Sequence, residues 1–397
     1  MSAAVPATAA EARVDALLVA RVDAGARFFG AREERLARLC HAMAERFARG
    51  ARLLAVAATP QDRSDARHVA VEFVHPVIVG KRALPALALT VEGGDPAAQL
   101  ALLAEPEDIV MAFGPADLRG ARSRGCLTVA FGPTGAEYEL EPPGADPCVR
   151  QEVAETAYHL LWELVHVFFE HRGLLEGRAQ ERTHDSGASS FLYPFLGETE
   201  TDLDAVLCDV RRSIALKAHE IAALRTQTLQ EGGEVLAAAA AALRARLDGG
   251  GRLLVLGNGG SATDAMDAAA DLRFPPGPWP ARPAIDLTED AAILTAVAND
   301  VGVEAVFSRQ VIAHGRPGDA LLAFSTSGGS ANVIHALAEA RRRRLLSIAM
   351  VGYNGGRILA DRLADHVVVT RSEHIPRIQE AQASAWHVLR ELLEVCA

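Results

Sequence analysis

The chain is poor in cysteine, in long apolar runs and in positive charge. Its five cysteines among 397 residues show neither paired nor metal-ligand spacing, which predicts free thiols in a reducing compartment. No apolar run reaches the roughly 20 residues of a membrane span, and no basic region with an apolar core opens the chain. The net charge of −11 argues against nucleic acid, because a phosphate backbone attracts basic surfaces. We therefore expect a cytoplasmic protein with no membrane or nucleic-acid partner.

Two short segments rich in glycine and serine are typical of phosphate-binding turns. Residues 257–261 read Gly-Asn-Gly-Gly-Ser and residues 325–330 read Ser-Thr-Ser-Gly-Gly-Ser, each directly after an apolar run. Both precede a helical stretch, whose first N–H groups would face an anion at the positive end of the helix dipole. No Gly-Lys-Ser/Thr follows, which disfavours a nucleoside triphosphate, and no acidic residue completes a dinucleotide motif. The pair of turns indicates a phosphate ester as the ligand.

Three further motifs accompany the two turns. They are Ala-Asn-Asp at 298–300, Phe-Ser-Arg at 307–309, and Arg-Ile-Gln-Glu at 377–380 with His387. With the turns, they resemble the sugar isomerase (SIS) fold and, within it, the phosphoheptose isomerase family, from about residue 204 to the end. The resemblance implies that a phosphorylated sugar is held by Asn258, Gly259, Gly260, Ser261, Ser325, Thr326, Ser327 and Ser330. It also implies Gln379 and His387 as site residues on the last helix.

The helix after the first turn departs from that family. Where the family has a His and a Glu one turn apart, this sequence has Asp267 and Asp271. Zinc is commonly bound by imidazole, whereas carboxylates suit harder ions. The C-terminal half is therefore expected to bind a sugar phosphate. Whether it also isomerises the sugar is left open.

The first half of the sequence repeats the second. Arg52–Val56 aligns with Arg252–Leu256, and Gln-Glu at 151–152 aligns with Gln-Glu at 379–380. We interpret the chain as a tandem duplication, with domains at 1–172 and 204–397 and a polar linker at 173–203. In both halves, short apolar runs alternate with alanine-rich amphipathic stretches. This predicts the α/β class: two tandem doubly wound (Rossmann-like, SIS) three-layer αβα domains with parallel sheets, whose ligands bind at the carboxyl ends of strands.

The first half has lost the phosphate turns but keeps the other residues of the family site. Its corresponding segments, 57–65 and 114–117, offer few donors to an anion. The resemblance implies a divalent metal such as zinc at four residues, namely His68, Glu72, Gln151 and His159. Gln151 and His159 stand two turns, about 12 Å, apart along a helix. They serve one centre only if both side chains lean inward, or else they face two sites across an interface.

The leading hypothesis is a sugar-phosphate aldose–ketose isomerase. Such chemistry needs a base, an acid and an electrophile that holds the enediolate. The base would be Glu72 or Asp271, the acid His159 or His387, and the electrophile a divalent ion. The alternative is a non-catalytic SIS protein that binds a sugar phosphate as a sensor or assembly scaffold. Asp267 and Asp271 favour the alternative, and the complete residue set of the first half opposes it.

The first helix of each half, around residues 14–29 and 206–224, has an apolar face. Such a face would be exposed in an isolated half. We therefore expect the two halves of each chain to pack as a pseudo-dimer, as identical subunits do in the family. We also expect the protein to form a homo-oligomer.

Overall fold

A computed structural model gives the fold of the protein for residues 7–77, 81–170 and 202–395. The predicted linker at 173–203 lies outside these described residues apart from its last two, and so does Cys396. The other cysteines have free thiols, which confirms the prediction for Cys40, Cys126, Cys148 and Cys208. No helix in the described part of the chain is long and apolar enough to cross a membrane.

The first half of the chain builds a sheet of five parallel strands. Its strands are β1 (Leu53–Ala57), β2 (Ala86–Leu89), β3 (Ile109–Phe113), β4 (Leu127–Ala130) and β5 (Tyr138–Glu139), in the order β2-β1-β3-β4-β5. Its helices are α1 (Ala7–Gly30), α2 (Glu33–Ala48), α3 (Arg63–Val74), α4 (Pro96–Leu103), α5 (Arg119–Arg124) and α6 (Pro147–Glu170). Every residue of β1 and β3 is buried, as in parallel strands that are covered on both faces.

The second half builds another sheet of five parallel strands. Its strands are β6 (Leu253–Leu256), β7 (Ala284–Asp286), β8 (Ala320–Ser325), β9 (Leu346–Val351) and β10 (His366–Val369), in the order β10-β9-β8-β6-β7. Its helices are α7 (Leu203–Asp248), α8 (Gly260–Arg273), α9 (Ala291–Asp300), α10 (Val306–His314), α11 (Ala331–Arg342), α12 (Gly356–Ala360) and α13 (Ile375–Val395). Read from the opposite edge, this is the strand order of the first sheet, so the predicted duplication and the α/β class are confirmed.

Alternate residues of β6 face two different cores. Leu253 and Val255 pack in a core that also contains Trp386 of α13, whereas Leu254 and Leu256 pack in a core with residues of α11. Because successive side chains of a strand point to opposite faces, helices cover both faces of this sheet. The second sheet therefore has the predicted three-layer αβα arrangement.

The chain forms two compact units whose members do not follow the sequence repeat. The second-sheet unit consists of Met1–Asp23, Asp146–Glu152 and Ile221–Ala397. The first-sheet unit consists of Ala24–Ala145 and Val153–Glu220. The predicted domain bounds stay a prediction: two short segments of the first half belong to the second-sheet unit, and the start of the second half, up to Glu220, belongs to the first-sheet unit. One of these segments carries Gln151 and Glu152.

Candidate active site

The first glycine-rich turn joins β6 to α8 in the second-sheet unit. Gly259 has φ +57°, a left-handed conformation that favours glycine. A Cβ atom on Gly257 would lie 2.0 Å from the carbonyl oxygen of Ser261, so only glycine fits there. Helix α8 begins at Gly260, just beyond the carboxyl end of β6. Its N-terminus is favourable for an anion.

The serine-rich turn joins β8 to α11 and places hydroxyl groups around a tight backbone. Gly328 has φ +59°, and a Cβ atom there would lie 2.3 Å from the carbonyl oxygen of Gly355. The Gly328 amide donates to Ser325 Oγ (3.2 Å), and the Gly329 amide donates to Ser327 Oγ (3.2 Å). Each of these hydroxyl groups keeps its own hydrogen for a ligand, because a serine hydroxyl both accepts and donates.

A pair of asparagines joins the two turns. Asn258 Nδ2 donates to Asn332 Oδ1 (3.0 Å), and Asn332 Nδ2 donates to Asn258 Oδ1 (2.8 Å). Because β6 and β8 are hydrogen-bonded neighbours, this pair holds the turns side by side. Ser330 is the N-cap of α11 and makes no side-chain capping hydrogen bond. Asn332 is absent from the predicted site, although it lies only two residues after the serine-rich turn at 325–330.

The equivalent place in the first-sheet unit holds a carboxylate. Thr59 Oγ1 donates to Asp62 Oδ2 (2.5 Å) just before α3. A Cβ atom on Gly114, in the other degenerate turn, would lie 1.9 Å from the same oxygen. A negative charge in this position repels an anion. This arrangement supports the expectation that the first half binds phosphate poorly.

A buried cluster of two aspartates and a histidine lies in the second-sheet unit. Asp267 and Asp271, one turn apart on α8, face His387 on α13. His387 Nε2 lies 3.4 Å from Asp267 Oδ2 and 3.7 Å from Asp271 Oδ2. One ligand atom from each residue lies within 4.8 Å of the others, so the group could hold a metal ion. Its two carboxylates suit a harder ion than zinc.

Two donors fix the carboxylates of this cluster. Trp386 Nε1 donates to Asp271 Oδ2 (2.8 Å), and Gln151 Nε2 donates to Asp267 Oδ1 (2.8 Å). Burial, reinforced by the Asp267 carboxylate, raises the pKa of Asp271 to about 7. A carboxyl group with a pKa near neutral pH is suited to accept and release a proton.

Gln151 contacts Asp267, whereas the resemblance implies Gln151 as a metal ligand beside His68, Glu72 and His159. Gln151 and Asp267 belong to the second-sheet unit, whereas His159, on the same helix α6, belongs to the first-sheet unit. The assignment of Gln151 to the metal group of His68, Glu72 and His159 stays a prediction. Gln379, the equivalent residue of the second half, is buried, and its Oε1 has no hydrogen-bond partner among the described residues.

Glu152 lies behind His387 and is missing from the predicted site. Its Oε1 is 2.8 Å from His387 Nδ1, and Arg21 Nε donates to the same oxygen (2.9 Å). Although burial opposes ionisation, the charge of Arg21 and the contact with His387 outweigh it and lower the pKa of Glu152 to about 2. The available sequence signal was the Gln-Glu pair that occurs in both halves, at 151–152 and 379–380.

A second buried cluster, with two histidines, lies in the first-sheet unit. His68 Nε2 faces His159 Nε2 at 3.3 Å and lies 3.8 Å from Glu72 Oε1. Tetrahedral zinc bonds of roughly 2.0–2.1 Å would separate two ligand nitrogens by about 3.3 Å, so this spacing fits an ion. Burial raises the pKa of Glu72 to about 7. His68, Glu72 and His159 are thus brought together.

Comparison with known proteins finds relatives of the second half. The sequence profile of the SIS domain family matches residues 218–352. The phosphoheptose isomerase of Pelodictyon phaeoclathratiforme is 42% identical over 177 residues, which cover 44% of this chain and 83% of that protein. The phosphoheptose isomerase of Thermodesulfovibrio yellowstonii is 38% identical over 188 residues, which cover 47% of this chain and 92% of that protein.

A solved structure shares the fold across both halves. It is the C-terminal domain of glucosamine-fructose-6-phosphate aminotransferase from Francisella tularensis, with a TM-score of 0.55 and 10% sequence identity. The similarity covers 96% of this chain and 94% of that chain. At this identity the match concerns the tandem fold alone.

Proposed function

The chain belongs to the phosphoheptose isomerase family of SIS-domain proteins through its second half, and we propose on this basis that it interconverts the aldose and ketose forms of a phosphorylated sugar. The family suggests sedoheptulose 7-phosphate as the substrate. The observation that carries the proposal is the position of α8. Its N-terminus completes the first phosphate turn, and the same helix presents Asp267 and Asp271 to His387. The proposed binding groups and the proposed proton-transfer groups therefore belong to one compact unit.

The two turns are the proposed phosphate site. The proposed contacts are Asn258, Gly259, Gly260, Ser261, Ser325, Thr326, Ser327 and Ser330. The reciprocal hydrogen bonds of Asn258 and Asn332 support this assignment, because a preformed cradle loses less conformational freedom on binding. Asp62, at the equivalent place in the first-sheet unit, supports a phosphate site in the second-sheet unit alone.

Asp271 and His387 are the proposed base and acid. Asp271 would remove the proton from the carbon next to the carbonyl group and return it to the neighbouring carbon. His387, in its protonated form with a hydrogen on each ring nitrogen, would donate the Nε2 proton to the carbonyl oxygen as the enediol forms, and would take up the proton of the neighbouring hydroxyl group as the new carbonyl group forms. Both side chains are buried, and a site without water strengthens the stabilisation of the developing negative charge. Gln379, whose Oε1 lacks a hydrogen-bond partner in the described structure, is proposed to contact the sugar hydroxyls.

A divalent metal, of zinc type, is proposed at His68, Glu72 and His159. Two imidazole nitrogens and a carboxylate are a suitable donor set for zinc. Glu72 Oε2 is buried without a hydrogen-bond partner among the described residues, and a cation would satisfy it. When bound, such an ion supplies a positive charge that can stabilise an enediolate. If the chemistry used this cluster, Glu72 would be the base and His159 the acid.

A second candidate function is a sensor or scaffold that binds a sugar phosphate without converting it. Asp267 and Asp271 favour it, because they replace the His and Glu of the family in an otherwise intact phosphate-binding half. In that case the two turns would bind the ligand, and the buried cluster of Asp267, Asp271 and His387 would only stabilise the fold.

Conversion of sedoheptulose 7-phosphate by the full-length protein tests the proposal. We expect Asp271→Asn and His387→Gln to lower kcat by about 100-fold or more, the usual size of an acid–base contribution. Glu72→Gln and His159→Gln make the same changes in the equally buried cluster of the first-sheet unit. Loss of activity only in these two variants would assign the chemistry to the first-sheet unit. Tight binding of the sugar phosphate without turnover would favour the sensor.

We also propose a cytoplasmic homo-oligomer. Composition supports the compartment, and the family supports the assembly. The pseudo-dimeric packing of the two halves stays a prediction. Light scattering on the purified protein measures the mass, and a value of 42.1 kDa, that of one chain, would contradict the oligomer.

A further inference from the structure

Glu152 is a buried carboxylate from the first half of the sequence that contacts the proposed acid of the second half. Its Oε1 lies 2.8 Å from His387 Nδ1, and both side chains are 1% exposed. We propose that Glu152 is a positioning residue, which fixes the ring of His387 so that Nε2 faces Asp267 and Asp271. This inference rests on the proposed function, but NMR of the His387 ring nitrogens tests it independently of turnover.

The carboxylate of Glu152 determines which ring nitrogen carries hydrogen. Arg21 Nε donates to Oε1 (2.9 Å), and Ser384 Oγ donates to Oε2 (2.5 Å), so both oxygens already accept hydrogen bonds. An ionised carboxylate offers no hydrogen of its own. The short contact with His387 therefore requires a hydrogen on Nδ1. Nε2 is then the nitrogen that is left for the reaction.

Glu152 is held by three elements of the second-sheet unit. Arg21 lies on α1 and also donates through Nη1 to the Leu17 carbonyl (3.0 Å). Arg225, on α7, donates to Ser384 Oγ (2.9 Å) and to the backbone carbonyl of Glu152 (3.2 Å). Ser384 lies on α13, one turn before His387. With its neighbours fixed in this way, the carboxylate is a rigid acceptor for the ring.

The other side of the ring is arranged differently. His387 Nε2 is buried and has no hydrogen-bond partner among the described residues. Its distances to Asp267 Oδ2 and Asp271 Oδ2, 3.4 and 3.7 Å, exceed those of ordinary hydrogen bonds. A buried polar atom without a partner costs stability, so its retention indicates a use. The ring thus has one nitrogen for orientation and one for chemistry.

Glu380 offers a matched control. It occupies the position of Glu152 in the second Gln-Glu pair, it is fully buried, and it forms an ion pair with Arg377. Glu380→Gln therefore removes a buried charge of the same kind and leaves the contact between Glu152 and His387 in place. A purely structural role for Glu152 predicts similar consequences for both substitutions.

The experiment compares Glu152→Gln, Glu152→Asp and Glu380→Gln in the full-length protein labelled with ¹⁵N-histidine. Two-bond ¹H–¹⁵N correlations report which ring nitrogen carries hydrogen, and a His387→Gln spectrum identifies the resonance among the 13 histidines. In the wild type we expect hydrogen on Nδ1. In Glu152→Gln, one amide oxygen must replace two carboxylate oxygens, so we expect a mixture with the Nε2–H form.

Turnover is measured on the same samples. We expect Glu152→Gln to lower kcat by about 10–100-fold with KM changed less than about 2-fold, the size seen when an orienting partner is lost. Glu152→Asp keeps the charge and should recover part of kcat. Glu380→Gln should keep the ring pattern of the wild type.

Each outcome decides the inference. An unchanged ring pattern in Glu152→Gln, or equal losses of kcat in Glu152→Gln and Glu380→Gln, would overturn it. If Glu152→Gln does not fold, the ring pattern of Glu152→Asp replaces it, and a pattern identical to the wild type with unchanged kcat would overturn the inference. If the wild type does not convert sedoheptulose 7-phosphate, the proposed function fails, and the ring pattern still decides the role of Glu152.

Discussion

Leu17→Ala tests whether the first helix of the chain belongs to the core of the second-sheet unit. Leu17 is 6% exposed and packs in the same core as Leu253 and Trp386, which lie more than 200 residues away in sequence. The substitution removes apolar contacts and leaves a cavity that the neighbouring side chains fill only in part. For a buried leucine, these two terms together cost about 2–5 kcal/mol of the free energy of unfolding.

Thermal and urea denaturation of the full-length protein measure the effect. For a unit of this size, each kcal/mol shifts the Tm by roughly 2–4 °C, so we expect the Tm to fall by roughly 4–20 °C. Val19→Ala is the matched control, because Val19 lies on the same helix and is 58% exposed. Its substitution should change the free energy of unfolding by less than about 0.5 kcal/mol.

Equal effects of the two substitutions would refute the packing of α1 in this core. The same reasoning predicts that residues 204–397 do not fold stably alone. That fragment lacks Leu17 and the buried side chains of Arg21 and Glu152. A fragment with the stability of the whole chain would contradict the composition of the second-sheet unit.

The remaining predictions concern the ligand and metal sites. Ser327→Ala should weaken binding of the sugar phosphate by about 10-fold in calorimetry, as expected for a lost hydrogen bond to a charged group, and unchanged affinity would remove Ser327 from the site. Asn332→Ala breaks both hydrogen bonds to Asn258 and should also weaken binding of the sugar phosphate, although Asn332 need not touch the ligand. If the substitution lowers only the stability of the protein, the pair does not organise the turns. His68→Ala should remove most of the bound zinc in plasma mass spectrometry, whereas Asp267→Ala should leave it, and the opposite pattern would assign the zinc to the other cluster.

Much of the fold could be predicted because its signals are local. Each buried strand is a short apolar run, and each of the two glycine-containing turns needs glycine where the backbone is left-handed or where two segments approach closely, as at Gly257 and Gly328. The duplication was visible because both halves keep the same order of such signals. These features depend on residues near one another in sequence.

The residues that were missed depend on tertiary contacts. Asn332 pairs with Asn258 across 74 positions, and Glu152 meets His387 across 235 positions. The contact of Gln151 with Asp267 was not predicted either, because the repeat gives the position of Gln151 along α6 but not the neighbours of each helix face. Eight residues turn a helix by about 80° beyond two full turns, so Gln151 and His159 face different surroundings. Sequence spacing alone does not identify those surroundings.

The most direct test of the proposed isomerase is incorporation of solvent deuterium into sedoheptulose 7-phosphate at the carbon next to the carbonyl group, followed by proton NMR. We expect the full-length protein to catalyse this exchange, and Asp271→Asn to lose it while still binding the sugar phosphate. Undiminished exchange in Asp271→Asn would contradict the assigned base. Binding of the sugar phosphate by the wild type without exchange would contradict the isomerase itself.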